Sequence, residues 1–140
     1  MFNVVFDTSV LVAGLLSKNG ASYKLIEMID SKIFKLSISV PLFKEYEAVL
    51  NRNKFSLSKE VIEDILDYIV FVSSHHKIYY LWRPVLKDIK DDMVLELAVK
   101  SNSIIVTLNK KDFFLAQKFG VEVYTPKEFL EILGEKNGGS

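Results

Sequence analysis

The chain of 140 residues predicts a three-layer α/β/α fold around a mostly parallel central sheet of about five strands. Short runs rich in β-branched and aromatic residues alternate along it with longer segments of helical periodicity. Apolar residues make up 49% of the composition, enough for one full-sized core. No internal repeat or low-complexity linker divides the sequence, and its 6 glycines and 3 prolines are too sparse to mark a boundary.

Taken in order, residues 3–6 form the first expected strand, ending in Val4-Val5-Phe6. Helical patterns follow at 10–16 and 21–30. A strand over 34–39 precedes helices over 41–50 and 59–72. The next strand is expected at 77–81, then a helix at 92–100, a strand at 103–107, a helix at 111–118 and a strand at 121–124. The last helix, 127–133, has a well-formed start. Thr125 is the N-cap, Pro126 stands at the first helical position, and Glu128 closes a capping box. Gly134 is expected to end that helix, which gives a single domain over 1–134 and a flexible tail over 135–140.

The 18 basic and 18 acidic residues cancel, with a pI near 6.7, so no global field draws the protein to nucleic acid or an anionic membrane. Contact with a polyanion has to come from a local patch. The absence of cysteine excludes disulfides and thiolate metal sites and fits a reducing compartment. No apolar run approaches the ~20 residues that span a bilayer, and the start lacks a basic leader pattern. The expectation is a cytoplasmic protein with no membrane contact.

The most informative feature is Asp7, placed where the first strand ends and flanked by Phe6, Thr8 and Ser9. An acid at the exit of an internal strand needs a cation or hydrogen-bond donors, because it is solvated poorly there. Parallel sheets bind ligands beyond the carboxyl ends of their strands. Further polar groups fall in the corresponding places. Asn109 follows Ile104-Ile105-Val106-Thr107, with Asp112 three residues on. Asp91 and Asp92 open a helix, and Glu45 sits in the helix after the second strand.

Simpler roles compete for each. Acids in a first helical turn complement the macrodipole, so Asp91 or Asp92 alone reads as a cap. Asp112 also suits a cap. Glu45 and Glu47 lie at opposite edges of the same apolar stripe, and periodicity does not choose between them. Asp7 is the hardest to explain in this way. His75 and His76 stand together at a turn without helical ligand spacing, and Trp82 with Tyr79-Tyr80 reads as core or interface.

Asp7-Thr8-Ser9 after an apolar strand resembles the opening of PIN-domain nucleases, a family that includes the VapC-type toxins of toxin–antitoxin pairs. Three further segments match in order: Ser39-Val40-Pro41-Leu42-Phe43-Lys44-Glu45; Asp88-Ile89-Lys90-Asp91-Asp92 with Leu95, Leu97 and Ala98; and Val106-Thr107-Leu108-Asn109-Lys110-Lys111-Asp112-Phe113. The closing Val123-Tyr124-Thr125-Pro126-Lys127-Glu128-Phe129-Leu130 also resembles the family's last strand and helix, so the likeness covers almost the whole chain.

The resemblance implies a PIN-like, Rossmann-like fold and a metal-dependent endoribonuclease acting on single-stranded or structured RNA. It makes Asp7, Glu45, Asp92 and Asp112 the catalytic acids. Asp7 and Asp92 would be the principal Mg²⁺ or Mn²⁺ ligands, with Glu45, Asp91, Asn109 and Asp112 as further candidates. Oxygen-only donors suit such hard ions. Thr8, Ser9, Lys110 and Lys111 are the candidates for holding RNA, and Lys18, Arg52 and Lys54 follow elements that begin near the site. A cognate antitoxin and a homodimer are the implied partners. The apolar segments 10–16 and 23–29 also exceed what one monomer is expected to bury.

The chain departs from the family at Ser9, commonly Asn, and at Asn109, commonly Asp. These changes keep open a degenerate PIN-like module that binds RNA or protein without cutting. A haloacid-dehalogenase-like phosphatase is weaker still, since its motif needs a second Asp where Ser9 stands.

Overall fold

The structure is a computed structural model and describes residues 1–52, 57–78, 86 and 88–136. Lys54, Tyr79, Tyr80, Trp82, the later part of the strand expected at 77–81 and the last four tail residues lie outside the described residues.

Strands β1 (Phe2–Phe6), β2 (Phe34–Ile38), β3 (Ser74–His75), β4 (Ile104–Val106) and β5 (Val123–Tyr124) form one sheet. Every pairing is parallel, and the order is β3-β2-β1-β4-β5. Helices α1 (Thr8–Leu16), α2 (Ala21–Glu27), α3 (Val40–Leu50), α4 (Lys59–Val72), α5 (Ile89–Ser101) and α6 (Pro126–Lys136) connect and cover it, with a 3₁₀ segment over Lys110–Phe119. The expected α/β architecture with a five-stranded parallel sheet is the one observed.

Alternation along the strands sorts the two faces. Register pairs Phe2 with Phe34 and Val4 with Leu36, so these share one face with Phe6. Phe129 of α6 covers that face: its ring meets Phe2 and Phe34 edge-on, each at 5.6 Å, and Phe34 lies 5.9 Å from Phe6. Helix α2 packs on both α1 and α6. Val5 and Ile105 point the other way, toward the side where α5 crosses β2, β1 and β4 and the 3₁₀ segment packs against α5. With both faces covered, the strands carry apolar residues continuously (Val4, Val5 and Phe6 are all fully buried) rather than alternately.

Several boundaries differ from expectation for identifiable reasons. A short edge strand forms at Ser74–His75, and Lys77 and Ile78, the described part of the strand expected at 77–81, lie outside it. It is recruited by pairing of Ser37 with Ser74 and Ile38 with His75, which needs backbone groups rather than apolar side chains. His75 and His76 therefore continue an edge strand instead of forming a turn. His75 Nε2 meets the Val70 carbonyl at 2.8 Å, and the His76 N–H donates to the Ile38 carbonyl at 2.9 Å. Helix α5 begins three residues before the expected 92, because Asp88 caps it. The segment expected as an α-helix at 111–118 is 3₁₀, kinked at Phe113, and it closes on Gly120 in the left-handed region at φ 73°.

Helix α6 runs through Gly134 to Lys136. Gly134 is exposed with open space around its Cα, so the glycine costs that helix only about 1 kcal/mol and does not terminate it. The surplus of apolar surface expected at 10–16 and 23–29 is mostly buried within the monomer, where Val10, Leu11, Leu25 and Ile29 join the core and Leu15 and Ile26 pack against it. Leu16 remains 63% exposed. Among the described residues no helix is long and apolar enough to cross a membrane.

Phe129 is fully buried at the centre of this aromatic group. Phe129→Ala should lower the unfolding free energy by about 3–5 kcal/mol, read from urea denaturation followed by circular dichroism.

Candidate active site

The order of strands reverses at β1, with β2 and β3 on one side and β4 and β5 on the other. Asp7 stands at the carboxyl end of this switch strand, the place where open α/β sheets bind ligands. Its N–H donates to the Val106 carbonyl at 3.0 Å, which extends the β1–β4 ladder one residue past its end. That register sets Asp7 beside Thr107. Thr107 Oγ1 donates to Asp7 Oδ2 at 2.7 Å, and Ser9 Oγ donates to the same oxygen at 2.8 Å. Hydrogen bonds to an ionised acceptor are the strong ones, and here they orient a half-buried carboxylate.

The two hydroxyls also lock the surrounding backbone. Ser9 Oγ accepts from the Leu108 N–H at 3.2 Å, and Thr107 Oγ1 accepts from the Asn109 N–H at 3.0 Å. From α3, the fully buried Tyr46 donates its hydroxyl to the Phe6 carbonyl at 2.5 Å, one residue before Asp7. Burial, and secondarily the charge of Asp7, push the Tyr46 hydroxyl well above its ordinary pKa, so it remains a donor.

Helix α5 brings the next acids to the same edge. Asp88 is its N-cap, with Oδ1 accepting from the Lys90 N–H at 2.9 Å. The capping role considered for Asp91 and Asp92 thus belongs to Asp88. Asp92 Oδ1 accepts from the Leu86 N–H at 2.8 Å. Asp91 carries the clearest electrostatic signature: its pKa is pushed up to about 7, first by burial and then by the charges of Asp7, Asp88, Asp112 and Asp92 in that order. Asp91 therefore sits in a field of negative charge set up by Asp7, Asp88, Asp112 and Asp92.

Glu45 takes a different part. Lys90 Nζ lies 3.3 Å from Glu45 Oε1, with the Glu45 side chain 16% exposed, whereas Glu47 points to solvent. The choice that periodicity left open falls on Glu45 as the acid facing α5, and a lysine already balances its charge.

The basic candidates separate as well. Lys110 Nζ pairs with Glu128 at 3.1 Å, and Glu128 in turn accepts from the Thr125 N–H in the expected capping box. Lys111, Asp112 and Asn109 are exposed, and Thr8 is partly buried at the first turn of α1. Lys18 and Arg52 lie at the far ends of α1 and α3, each beyond roughly 14 Å of helix, away from the acids.

All donors in the cluster are oxygens, a set that fits a hard divalent ion such as Mg²⁺ or Mn²⁺. Among the described residues no three acidic or histidine side chains converge closely enough to form a ready-made metal cage. Reading the sequence alone overlooked Thr107, Tyr46 and Lys90 as parts of this arrangement. Thr107 had a signal, since it ends an apolar run just as Asp7 does.

A family model for the PIN domain matches residues 3–111. No curated protein matches the chain at a significant level. Among solved structures the chain is similar to VapBC2 from Rickettsia felis bound to a DNA fragment from their promoter, with TM-score 0.59 and 15% identity over 87% of this chain and 97% of that one. It is also similar to VapBC-1 from nontypeable Haemophilus influenzae, with TM-score 0.61 and 13% identity over 90% and 99% of the two chains. At these identities the likeness is one of fold.

The raised Asp91 pKa has a definite sign. Folded protein holds this proton more tightly than unfolded chain, so its contribution favours folding below the ordinary 3.8 and is lost as pH rises toward about 7. With metal removed by chelation, Asp91→Asn should raise the melting temperature at about pH 8 and leave it nearly unchanged at about pH 4. An equal shift at both pH values would show that the carboxylate is not strained by its neighbours.

Proposed function

The chain belongs to the PIN-domain family, and from that premise we propose that it is a divalent-metal-dependent ribonuclease, the toxin of a toxin–antitoxin pair. It hydrolyses phosphodiester bonds of single-stranded or structured RNA in the cytoplasm. The observation that carries this reading is Asp7 at the carboxyl end of the switch strand, held by Thr107 and Ser9, with the first-turn acids of α5 in the same field of negative charge that pushes the Asp91 carboxyl up. Acids gathered at the carboxyl end of the switch strand suit a cation.

In this reading Asp7 and Asp92 hold the ion, with Asp91, Asp112 and the Asn109 carbonyl oxygen within the same field. A bound Mg²⁺ or Mn²⁺ supplies the Lewis acidity that phosphodiester hydrolysis needs. Ser9 and Thr107 keep the Asp7 carboxylate in one orientation, so no reorganisation is required when substrate arrives. The Leu86 N–H does the same for Asp92. Glu45, neutralised by Lys90, positions the start of α5 and is a weaker ligand than its place in the motif implies. Lys111, exposed beside Asp112, meets the RNA backbone together with Lys110 and the first turn of α1 at Thr8.

The two similar solved structures described above are VapBC assemblies by name, which supports an antitoxin protein as partner. A homodimer completes the proposal, and the domain, expected over 1–134, is read as extending through the end of α6 at Lys136. The Glu45–Lys90 pair favours one alternative, a degenerate module that binds RNA without cutting it.

Incubating the full chain with a mixed RNA pool and Mg²⁺ or Mn²⁺, then sequencing the new ends, separates the two. Cleavage should fall by about a hundredfold or more in Asp7→Asn, the several kcal/mol that a metal centre contributes. Mn²⁺ should also raise the melting temperature of the parent protein but not of Asp7→Asn. Cleavage undiminished in Asp7→Asn would refute the assignment.

A further inference from the structure

In the segment that follows Asn109, the 3₁₀ residues and β5 line an open cavity of about 460 Å³, within the usual range of small-ligand sites. Its wall combines the rings of Phe113, Phe114 and Tyr124 with the polar groups of Lys110, Gln117 and Glu122. Phe113 is buried and braces the wall, while Phe114 is 72% exposed, an apolar ring face that the monomer leaves uncovered. The Tyr124 hydroxyl donates to Glu122 Oε2 and so fixes the carboxylate in the wall. A hydroxyl raised to about 12 by that bond stays protonated and keeps donating.

Ring faces beside both donors and acceptors form the chemistry that receives an unstacked nucleobase. The carboxylate narrows the choice. It repels phosphate, and it accepts two parallel N–H bonds from only one of the four RNA bases, guanine, through N1–H and the 2-amino group. Adenine, cytosine and uracil each present a single donor group at the corresponding edge. The amide of Gln117 adds one donor and one acceptor.

The cavity also has the right place. Lys110 lines it and is the residue after Asn109, about 3.8 Å along the chain. Asn109 is hydrogen-bonded to Thr107, which is hydrogen-bonded to Asp7. We propose that this cavity is the base-reading subsite of the same active site and takes one unstacked guanine next to the scissile bond. The proposal rests on the ribonuclease reading for its biological setting, but its binding chemistry can be measured without cleavage.

Guanosine, adenosine, cytidine and uridine are titrated separately into the isotope-labelled full chain in EDTA, following backbone amide shifts by NMR. Guanosine should move the amides of Lys110, Gln117 and Glu122 and bind about tenfold more tightly than the others. Glu122→Gln should erase that preference, and Phe114→Ala should weaken all four about tenfold by removing a stacking face. Both side chains are at the surface, and an unchanged circular dichroism melt confirms that the variants fold. Equal affinities, a preference that survives Glu122→Gln, or shifts confined to other regions would overturn the subsite. So would concentration-dependent shifts of the same amides without nucleoside that vanish in Phe114→Ala, since the surface would then serve a second copy of the chain. Asp7-dependent cleavage with no guanine at a fixed position from the cut removes the subsite and leaves the ribonuclease. Glu122-dependent guanosine binding with no Asp7-dependent cleavage removes the ribonuclease and leaves the guanine site.

Discussion

A carboxylate at the end of a central parallel strand is shielded from water by the strands and helices beside it, so the fold itself must supply its hydrogen bonds. Here one donor is local, Ser9, and the other, Thr107, arrives from a strand on the far side of the sequence. Much else follows from that requirement. Strand β4 has to pair directly with β1, in a register that sets Thr107 against Asp7. Helix α5, which crosses to reach β4, has to start above the same edge, and its first-turn acids then add to the field. The strain on Asp91 is the electrostatic residue of this geometry. Net neutrality of the whole chain conceals it, and among the described residues Lys90 stands against Glu45 and Lys110 against Glu128.

What could be read in the sequence was whatever depends on near neighbours. Asp7 was legible because a buried strand stops at it, and the α6 start because Thr125, Pro126 and Glu128 carry their signals within four residues. The α/β alternation was legible for the same reason. Pairings across the sheet and between helices were not. The neutralisation of Glu45 depends on α3 meeting α5, and helical periodicity left Glu45 and Glu47 equivalent until that contact was known. Tyr46 shares the stripe of Leu42 and Leu50, a pattern that marks burial but carries no sign of the bond its hydroxyl makes to the Phe6 carbonyl. β3 escaped because an edge strand of two residues is specified by its partner's free backbone groups and scarcely by its own side chains.

The end of the chain is joined to this edge through a single residue with two tasks. Glu128 caps α6 by accepting from the Thr125 N–H and also receives Lys110 from the segment after β4. Those bonds, the Thr125 N–H foremost, hold its carboxyl below the usual range. Because the pair with Lys110 is largely exposed, its contribution is positional more than energetic. It keeps Lys110 at the boundary between the acids and the aromatic cavity.

The hydrogen bond between Asp7 and Thr107 spans 100 positions. On a ribosome adding ~5–20 residues per second, the acid therefore exists for about 5–20 s before its partner is even made. Over that interval β1 has no β4 beside it, and α5 has nothing to cross toward. The carboxylate therefore gains its distant donor only after residue 107 has been added, and a chain released before that point carries Asp7 without Thr107 beside it.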